Sequence, residues 1–478
     1  MSPDALVDAL GAWTERPGPR YRRLADAIRA AVQQGLVPAG ARLPAERALA
    51  DRLLVSRTTV VNAYGLLRDD GVVESRRGSG TSVRAQGPAG DLPAAFRAPM
   101  LARLVDERSP RIDLSIGSPV NPALVSEPLD LEAAVALAPP HGFTPLGLPA
   151  LRACVAAKYA DEGVPTVVDE VMITSGAQGA LSLVARGLVT PGDRVLVEAP
   201  SYPGALETFS RAGASMGSVE MDEAGMRPDA LERALERGGV RLVVLVPTCH
   251  NPTGIVMPEG RRREIVEVAR RHEVTLLEDG TLSDVRFAGP APSPLVGHAP
   301  DLVLSVGSLS KIGWGGLRVG WLRAPSATIL RLARLRAADD LGGPVFAQAV
   351  ALRLLERLPE LVDVRREEAR ERLETLASAL RERLPEWEFS EPRGGYSLWV
   401  RLPHGSGDEF AQVALRHGVA VAAGSATALD DEFIDRIRIS YSPPPERLRA
   451  AVERLERAWA EYSGWPSAGN AAEPALPM

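Results

Sequence analysis

Lysine is nearly missing from this chain of 478 residues: of its 55 basic side chains only Lys158 and Lys311 are lysine, and the other 53 are arginine. Arginine cannot replace an amine that must lose its proton and attack a carbonyl, so a surviving lysine is worth inspecting. Cysteine is as scarce. Cys154 and Cys249 cannot build a disulfide framework or a zinc cluster, and no metal site is expected. Long apolar runs are missing too. Nothing approaches the ~18 consecutive apolar residues of a membrane span, so no membrane partner is expected. The first twenty residues carry acids and no uninterrupted apolar stretch, which argues against a secretory signal and for a cytoplasmic location. What remains is ordinary for a globular chain, 45% hydrophobic and 24% charged. That composition excludes wholesale disorder and suffices for more than one core; at ~150 residues per domain, about three domains are expected.

Charge is unevenly spread. Residues 1–84 hold 13 arginines against 9 acids, a net of +4, so with −6 overall residues 85–478 carry −10. A basic N-terminal segment on an acidic body suggests a small polyanion-binding module, although a solvated basic face gives the same count. The segment reads as three helices and a hairpin. Tyr21 to Gln33 places Leu24, Ala27, Ile28, Ala31 and Val32 on one face. A second helix opens at Leu43-Pro44-Ala45-Glu46-Arg47, with Pro44 in its first turn. Ser56 is a good N-cap for a third, running to about Asp69, with Val60, Ala63, Tyr64 and Leu67 as its buried stripe. Gly71–Glu74 and Thr81–Val83 read as strands joined by a basic, glycine-rich turn. Such a winged helix-turn-helix would send the third helix into the major groove of double-stranded operator DNA.

The run RLPAERALADRLLVSRTTVVNAYGLLRDDGVVESRRGSGTSV resembles the DNA-binding domain of the GntR family over its whole length. The resemblance implies DNA contacts at Arg47, Ser56, Arg57, Thr58, Thr59, Arg77 and Gly78. Some members carry a further basic residue a few positions into the third helix; Val61 stands near there. Residues 85–110 are rich in proline, alanine and glycine and read as a semi-flexible linker, with a short helix near Met100–Val105.

From Arg111 the pattern becomes strand-helix alternation. Strands are expected at Val171–Thr174, Arg194–Glu198, Val240–Val246, Val274–Glu278, Leu302–Val306 and Arg318–Trp321, with helices such as Gln178–Val189 and Pro258–His272 between them. This argues for a mostly parallel sheet covered on both faces, with ligands beyond the carboxyl ends of its strands. Short motifs follow those strands. Ser175-Gly176-Ala177-Gln178 opens a helix and can point backbone N–H groups at a phosphate, or serve packing alone. Tyr202 can stack on an aromatic ring or fill a core. Asn251, in His250-Asn251-Pro252-Thr253-Gly254, can donate to a ring hydroxyl or mark a turn. Asp279 can pair with a protonated ring nitrogen. Ser308, Ser310 and Arg318 can hold a phosphate, and Lys311 can form a Schiff base.

Together these match one cofactor's needs, and their order and spacing resemble the fold-type-I pyridoxal 5′-phosphate (PLP) enzymes, the aspartate aminotransferase superfamily, over roughly residues 111–465. The resemblance implies Lys311 and Asp279 as catalytic residues and Arg438, in Arg436–Ser440, as the binder of a carboxylate on a substrate or effector. Gly394–Val400 would start the small domain's sheet. Two positions depart from the superfamily: Thr281 and Phe143 stand where tyrosines commonly contact the ring hydroxyl and the phosphate of the neighbouring subunit.

The whole chain resembles the MocR subfamily of GntR transcription regulators. That implies a multi-domain chain: an N-terminal α+β winged helix-turn-helix (1–84), the linker, and an α/β fold-type-I PLP-dependent transferase body (111–478). The body comprises a large subdomain at about 140–340, a smaller C-terminal α+β subdomain at about 341–465, and a tail at 466–478. The implied function is a homodimeric, PLP-dependent transcription regulator sensing PLP or an amino-acid-like amine at Lys311. The alternative is a working aminotransferase carrying a DNA-binding head.

Overall fold

The computed structural model describes residues 6–7, 10, 13, 19–33, 37, 41–53, 55–69, 72–76, 80–83, 112–119, 130–287, 289, 291–430 and 432–463. The chain divides into two compact units, Met1–Leu92 and Pro93–Met478. Arg77 and Gly78, the linker 85–110 and the tail 466–478 lie outside the described residues.

In the first unit, helices Arg20–Gln33, Glu46–Leu53 and Arg57–Asp69 precede a hairpin of β1 (Val73–Arg76) and β2 (Gly80–Val83), paired from Val73↔Val83 to Arg76↔Gly80. Apolar residues three and four apart on each helix meet in one core of Leu24, Ile28, Leu49, Val60, Tyr64 and Leu67, closed by Val73 and Val83. Leu6, Leu10 and Trp13, spaced four and three apart, also join this core, a short apolar period outside the three helices expected from the sequence. The first strand starts later than expected because Val72 N still donates to Leu67 O, closing the helix before extension begins. Residues 41–43 add a third edge to the hairpin: Arg42 bridges to Ser82, and Leu43 N donates to Thr81 O at 2.8 Å. Tyr64 OH donates to Pro44 O at 3.0 Å, a buried bond tying the third helix to the turn before the second.

The second unit has β3 (Ile112–Asp113) as its first strand among the described residues. Its main sheet uses β4 (Val171–Thr174), β5 (Arg194–Ala199), β6 (Ser215–Asp222), β7 (Gly225–Met226), β8 (Val240–Leu245), β9 (Thr275–Asp279), β10 (Val303–Ser308) and β11 (Gly320–Arg323), in the order β4-β11-β10-β9-β8-β5-β6-β7. From β6 through β5, β8 and β9 to β10 neighbours run parallel, while β11 is antiparallel to both β10 and β4. β4 and β10 are buried along their whole length, as strands covered on both faces are. Two details differ from the sequence expectation. β6, with only Val219 fully buried, carries too weak an apolar alternation to stand out. The expected strand Arg318–Trp321 starts at Gly320, because Arg318 adopts a left-handed conformation (φ 54°) that ends a 3₁₀ turn.

A second sheet, ordered β12-β13-β16-β15, consists of β12 (Glu388–Phe389), β13 (Ser397–Arg401), β15 (Ala422–Ala423) and β16 (Arg436–Ser440), with β14 (Val419–Ala420) between β13 and β15 in the chain. It therefore starts before Gly394. β3 pairs in parallel with β14, and Ser440 N donates to Leu114 O at 2.7 Å, so the start of this unit packs with its C-terminal sheet. That pairing carries residues 116–118 to the main sheet's strand ends.

Candidate PLP and DNA-contact sites

A cavity of about 540 Å³ opens beyond the carboxyl ends of β8, β9 and β10. Ala177, Gln178, Tyr202, Asn251, Asp279, Ser308, Ser310, Lys311, Arg318 and Arg438 all line it. Residues spread over more than 260 positions thus converge: most lie at or just after the carboxyl ends of main-sheet strands, and Arg438 comes from the middle of β16 in the second sheet.

Lys311 follows β10 and points its Nζ at Gly117 O. Burial lowers its pKa to about 8; Arg438 and Arg318 also lower it, and Asp279 pulls the other way. Such an amine loses its proton near neutral pH, as a carbonyl-attacking amine must. Asp279 ends β9. Burial raises its pKa, opposed by Lys311 and by hydrogen bonding from Thr281, whose N donates to Asp279 Oδ1 at 2.9 Å. Thr281 Oγ1 is buried beside Asp279 and makes no complete hydrogen bond among the described residues.

The anion-holding side is equally local. Ser308 Oγ donates to Ser310 Oγ at 2.9 Å and accepts from Ser310 N at 3.1 Å. Arg318 Nη2 donates to Ser175 O at 2.8 Å across the start of helix Gly176–Leu188. Gly176 is required there: its φ is +73°, and a Cβ would lie 2.7 Å from Arg318 Nη2. Ser175 and Gly176 do not line the cavity themselves; they shape its floor and fix Arg318.

Tyr202 OH donates to Gln178 Oε1 at 3.3 Å, and burial followed by the Asp279 charge pushes the phenol up to about 12. Gly204 leaves room for that ring, since a Cβ there would sit 2.5 Å from it. Arg438, 2% exposed, donates through Nη1 to Asn251 Oδ1 at 2.9 Å and through Nη2 to Ser115 O. Sequence reasoning missed Ile116, Gly117, Ser118 and Tyr396 as cavity walls. Tyr396 OH donates to Lys311 O at 2.8 Å. The only hint of this wall was the Gly117-Ser118-Pro119 run. Phe143 does not line the cavity of its own chain. It is 54% exposed on a separate face with Leu137 and Pro139.

In the first unit, Ser56 caps the third helix: its Oγ accepts from Thr59 N at 3.1 Å. Arg47, Ser56, Arg57 and Thr58 are exposed and Thr59 is half-buried. Arg57 Nη2 pairs with Glu46 at 3.1 Å, aligning the starts of the second and third helices.

Comparison with known proteins decides the family. The sequence model of class I and II aminotransferases matches residues 129–455. This chain belongs to that family. The model of bacterial regulatory proteins of the gntR family matches residues 20–83. The pairing is that of GntR/MocR-type regulators with an aminotransferase-like domain. The uncharacterized HTH-type transcriptional regulator YjiR of Escherichia coli is 29% identical over 92% of this chain and 98% of its own length. The probable rhizopine catabolism regulatory protein MocR of Rhizobium meliloti is 30% identical over 64% of this chain and 66% of its own. Among solved structures, Pyrococcus horikoshii kynurenine aminotransferase, in complex with PMP, superposes with a TM-score of 0.69 at 28% identity, covering 77% of this chain and 95% of that one. The family's cofactor is PLP. The residues present fit it: an amine with a lowered pKa, a buried carboxylate, an unpartnered buried hydroxyl at Thr281, and an arginine over a glycine floor. Among the described residues no helix is long and apolar enough to cross a membrane, and no group of three or more metal-ligating side chains occurs.

Proposed function

We propose that this chain is a PLP-responsive, DNA-binding transcription regulator whose aminotransferase-like body senses PLP, or an amine bearing a carboxylate, at Lys311. The observation that carries the reading is Lys311. Its amine is poised near neutrality inside a cavity that also holds Asp279 and Arg438, in a chain with a gntR-type head. Ser308, Ser310, Arg318 and the backbone of Gly176–Gln178 would hold the cofactor's phosphate. Tyr202 would cover its ring, Asn251 and Thr281 would face the ring hydroxyl, and Asp279 would face the ring nitrogen. When bound, PLP supplies an aldehyde for an amine and an electron-withdrawing ring. The chain's own work is binding and proton control. Asp279 holds negative charge at the ring nitrogen, and burial, with the two arginines, lowers the pKa of Lys311 so that more of its Nζ is free amine at neutral pH. Arg438 offers a planar fork to a carboxylate.

The domain plan we propose is a DNA-binding head over 1–84, a linker over 85–110 and a body over 111–478. Arg47, Ser56, Arg57, Thr58, Thr59, Arg77 and Gly78 would contact DNA, with the protein acting in the cytoplasm. The body would act as a homodimer, as aminotransferase-type folds commonly do. Exposed Phe143, Leu341 and Phe346 support this, since Thr144 N bonds Leu341 O and brings their segments together. A working aminotransferase with a DNA-binding head is the second reading, favoured by the joint presence of Lys311, Asp279, Asn251 and Arg438 in one cavity.

The test is an absorption spectrum of the purified chain with PLP, before and after borohydride. It is joined to operator binding with and without PLP and to turnover with a panel of amino acids. A PLP-dependent change in DNA affinity that Lys311→Ala abolishes supports the regulator. Turnover of an amino acid without any effect on DNA binding supports the enzyme. A colourless protein that borohydride does not label defeats both.

A further inference from the structure

The turn that carries Lys311 does not hold itself. Residues 309–313 leave β10 as a single helical turn that is not continued: Gly313 N donates to Leu309 O at 2.7 Å, and the next element is the 3₁₀ turn Gly315–Leu317. A helix that stops leaves its last carbonyls without partners of its own. Here the next four are each taken by a side chain distant in sequence. Ser118 Oγ donates to Ser310 O at 3.3 Å and Tyr396 OH to Lys311 O at 2.8 Å. Arg365 Nε donates to Ile312 O at 2.8 Å, and its Nη2 to Gly313 O at 2.9 Å.

Arg365 is the unusual member of this set. Ser118 and Tyr396 line the Lys311 cavity, whereas Arg365 is not among its walls. It lies on the buried stripe of the long helix Leu358–Arg383, four residues after Leu361 and four before Ala369, at a position an apolar residue would fill. Its side chain is 1% exposed. A guanidinium buried so deeply is costly unless its donors are matched, and an apolar residue would carry no such cost. Nη1 pairs with Glu368 at 2.8 Å, and the edge formed by Nε and Nη2 faces the two carbonyls. A planar fork on two successive carbonyls fixes the orientation of the turn, which a single point donor such as an ammonium does not.

We propose that Arg365 is a positioning residue for Lys311: from outside the cavity it holds the turn that aims the amine into it, toward Gly117 O. This role rests on Lys311 being the reactive amine of the PLP reading. The charges acting on that amine are those of Arg438, Asp279 and Arg318, which line the cavity with it. Arg365 acts instead on the backbone of the two residues that follow Lys311. With the fork removed, Ile312 O and Gly313 O lose their donors in a buried setting, the turn moves to find water, and the amine leaves the enclosure that favours its neutral form. Two turns further along the same helix, Arg372 Nη1 donates to Ser442 O at 2.8 Å, just beyond the strand that bears Arg438. One helix thus grips both the turn of the amine and the end of the strand that offers a carboxylate its partner.

The test uses the full-length, cofactor-free chain with its amines labelled by ¹³C-formaldehyde, and compares Arg365→Gln, Arg365→Lys and Arg370→Gln by ¹³C-methyl NMR titration. Arg365→Gln is expected to raise the Lys311 midpoint toward the ordinary lysine value by about one pH unit or more, as an amine regaining water does. Arg365→Lys keeps the charge but not the fork and is expected to raise it too; its added amine is the one signal the unaltered chain lacks. It decides the matter if Arg365→Gln does not fold. Lys158, paired with Glu162, is the internal reference and is expected to stay where it is. Arg370→Gln removes the same helix's grip on Phe287 O and is expected to leave Lys311 unmoved. An unchanged Lys311 midpoint in a folded Arg365 variant, an unaltered chain whose Lys311 already titrates at the ordinary value, or an equal rise in Arg370→Gln overturns the proposal. An absorption titration with PLP, run beside it, keeps the two failures apart. Imine formation with unmoved Lys311 midpoints sinks the positioning role alone, and moved midpoints without any imine in the unaltered chain sink the PLP reading alone.

Discussion

The near-absence of lysine makes the central electrostatic claim directly measurable. Reductive methylation with ¹³C-formaldehyde labels amines, and this chain has two lysine side chains besides its N-terminus. Lys311 is expected to titrate near 8, and Lys158 above the ordinary lysine value. Against the ordinary lysine value of 10.5, the Lys311 shift means that the fold disfavours its ammonium by about 3 kcal/mol. At pH 7 the free-amine fraction is then about 300-fold larger than for an unperturbed lysine. Burial is the largest cause of the shift, and neighbour variants test the charges beside it. Arg438→Gln should raise the Lys311 midpoint, Arg318→Gln should raise it less, and Asp279→Asn should lower it. Stability follows the same sign. Between about 8 and the ordinary value the unfolded chain holds a proton that the folded chain has released, so the Lys311 contribution to stability grows as pH rises through that window. The measurement is a ¹³C-methyl NMR titration of the cofactor-free protein, with Lys158→Arg assigning the signals. If both lysines titrate together near the unperturbed value, the account of Lys311 is wrong, and so is the reason given for its reactivity.

Arg57→Ala should weaken operator binding by ~1–3 kcal/mol in fluorescence anisotropy, and unaltered affinity would remove Arg57 from the DNA contacts. Tyr64→Phe deletes the buried bond to Pro44 O and should cost the isolated or intact head about 1 kcal/mol or more in denaturant unfolding. Gly176→Ala forces a side chain onto a residue at φ +73° and against Arg318 Nη2; a loss of about 1–3 kcal/mol and weaker PLP retention in gel filtration are expected. Phe143→Asp puts a charge on the exposed apolar face and should shift the sedimentation profile toward monomer if that face is the dimer interface.

Much of this protein is legible in its sequence because its signals are local. Helix periodicity, the Ser56 cap and the Tyr64 stripe delineate the head, and each short motif at a strand end names a chemical group. Those motifs are fixed by backbone geometry over four or five residues, and that geometry leaves a mark on residue choice at Gly176, Gly204 and Asn251. Other features leave no such mark. β6, flanked by β5 and only by the two-residue β7 on its other side, has few buried residues, so its alternation is faint. Gly315-Gly316 announce the turn that the left-handed Arg318 ends, but nothing near it in sequence announces the bond its guanidinium makes to Ser175 O, 143 positions away.

What the sequence by itself determined was the inventory: which side chains are available, on which kind of element, and that one of two lysines follows a buried strand. Only the tertiary structure decided how those groups act on one another. The lowered pKa of Lys311 comes from burial and from arginines 7 and 127 positions further along the chain. Gly117 reaches Lys311 from the segment after β3, which pairs with β14 at Ile112↔Val419, and Tyr396 reaches it from the residue before β13 of the second sheet. Charge, burial and hydrogen bonding depend on distance through space, and distance through space is what a linear chain does not state.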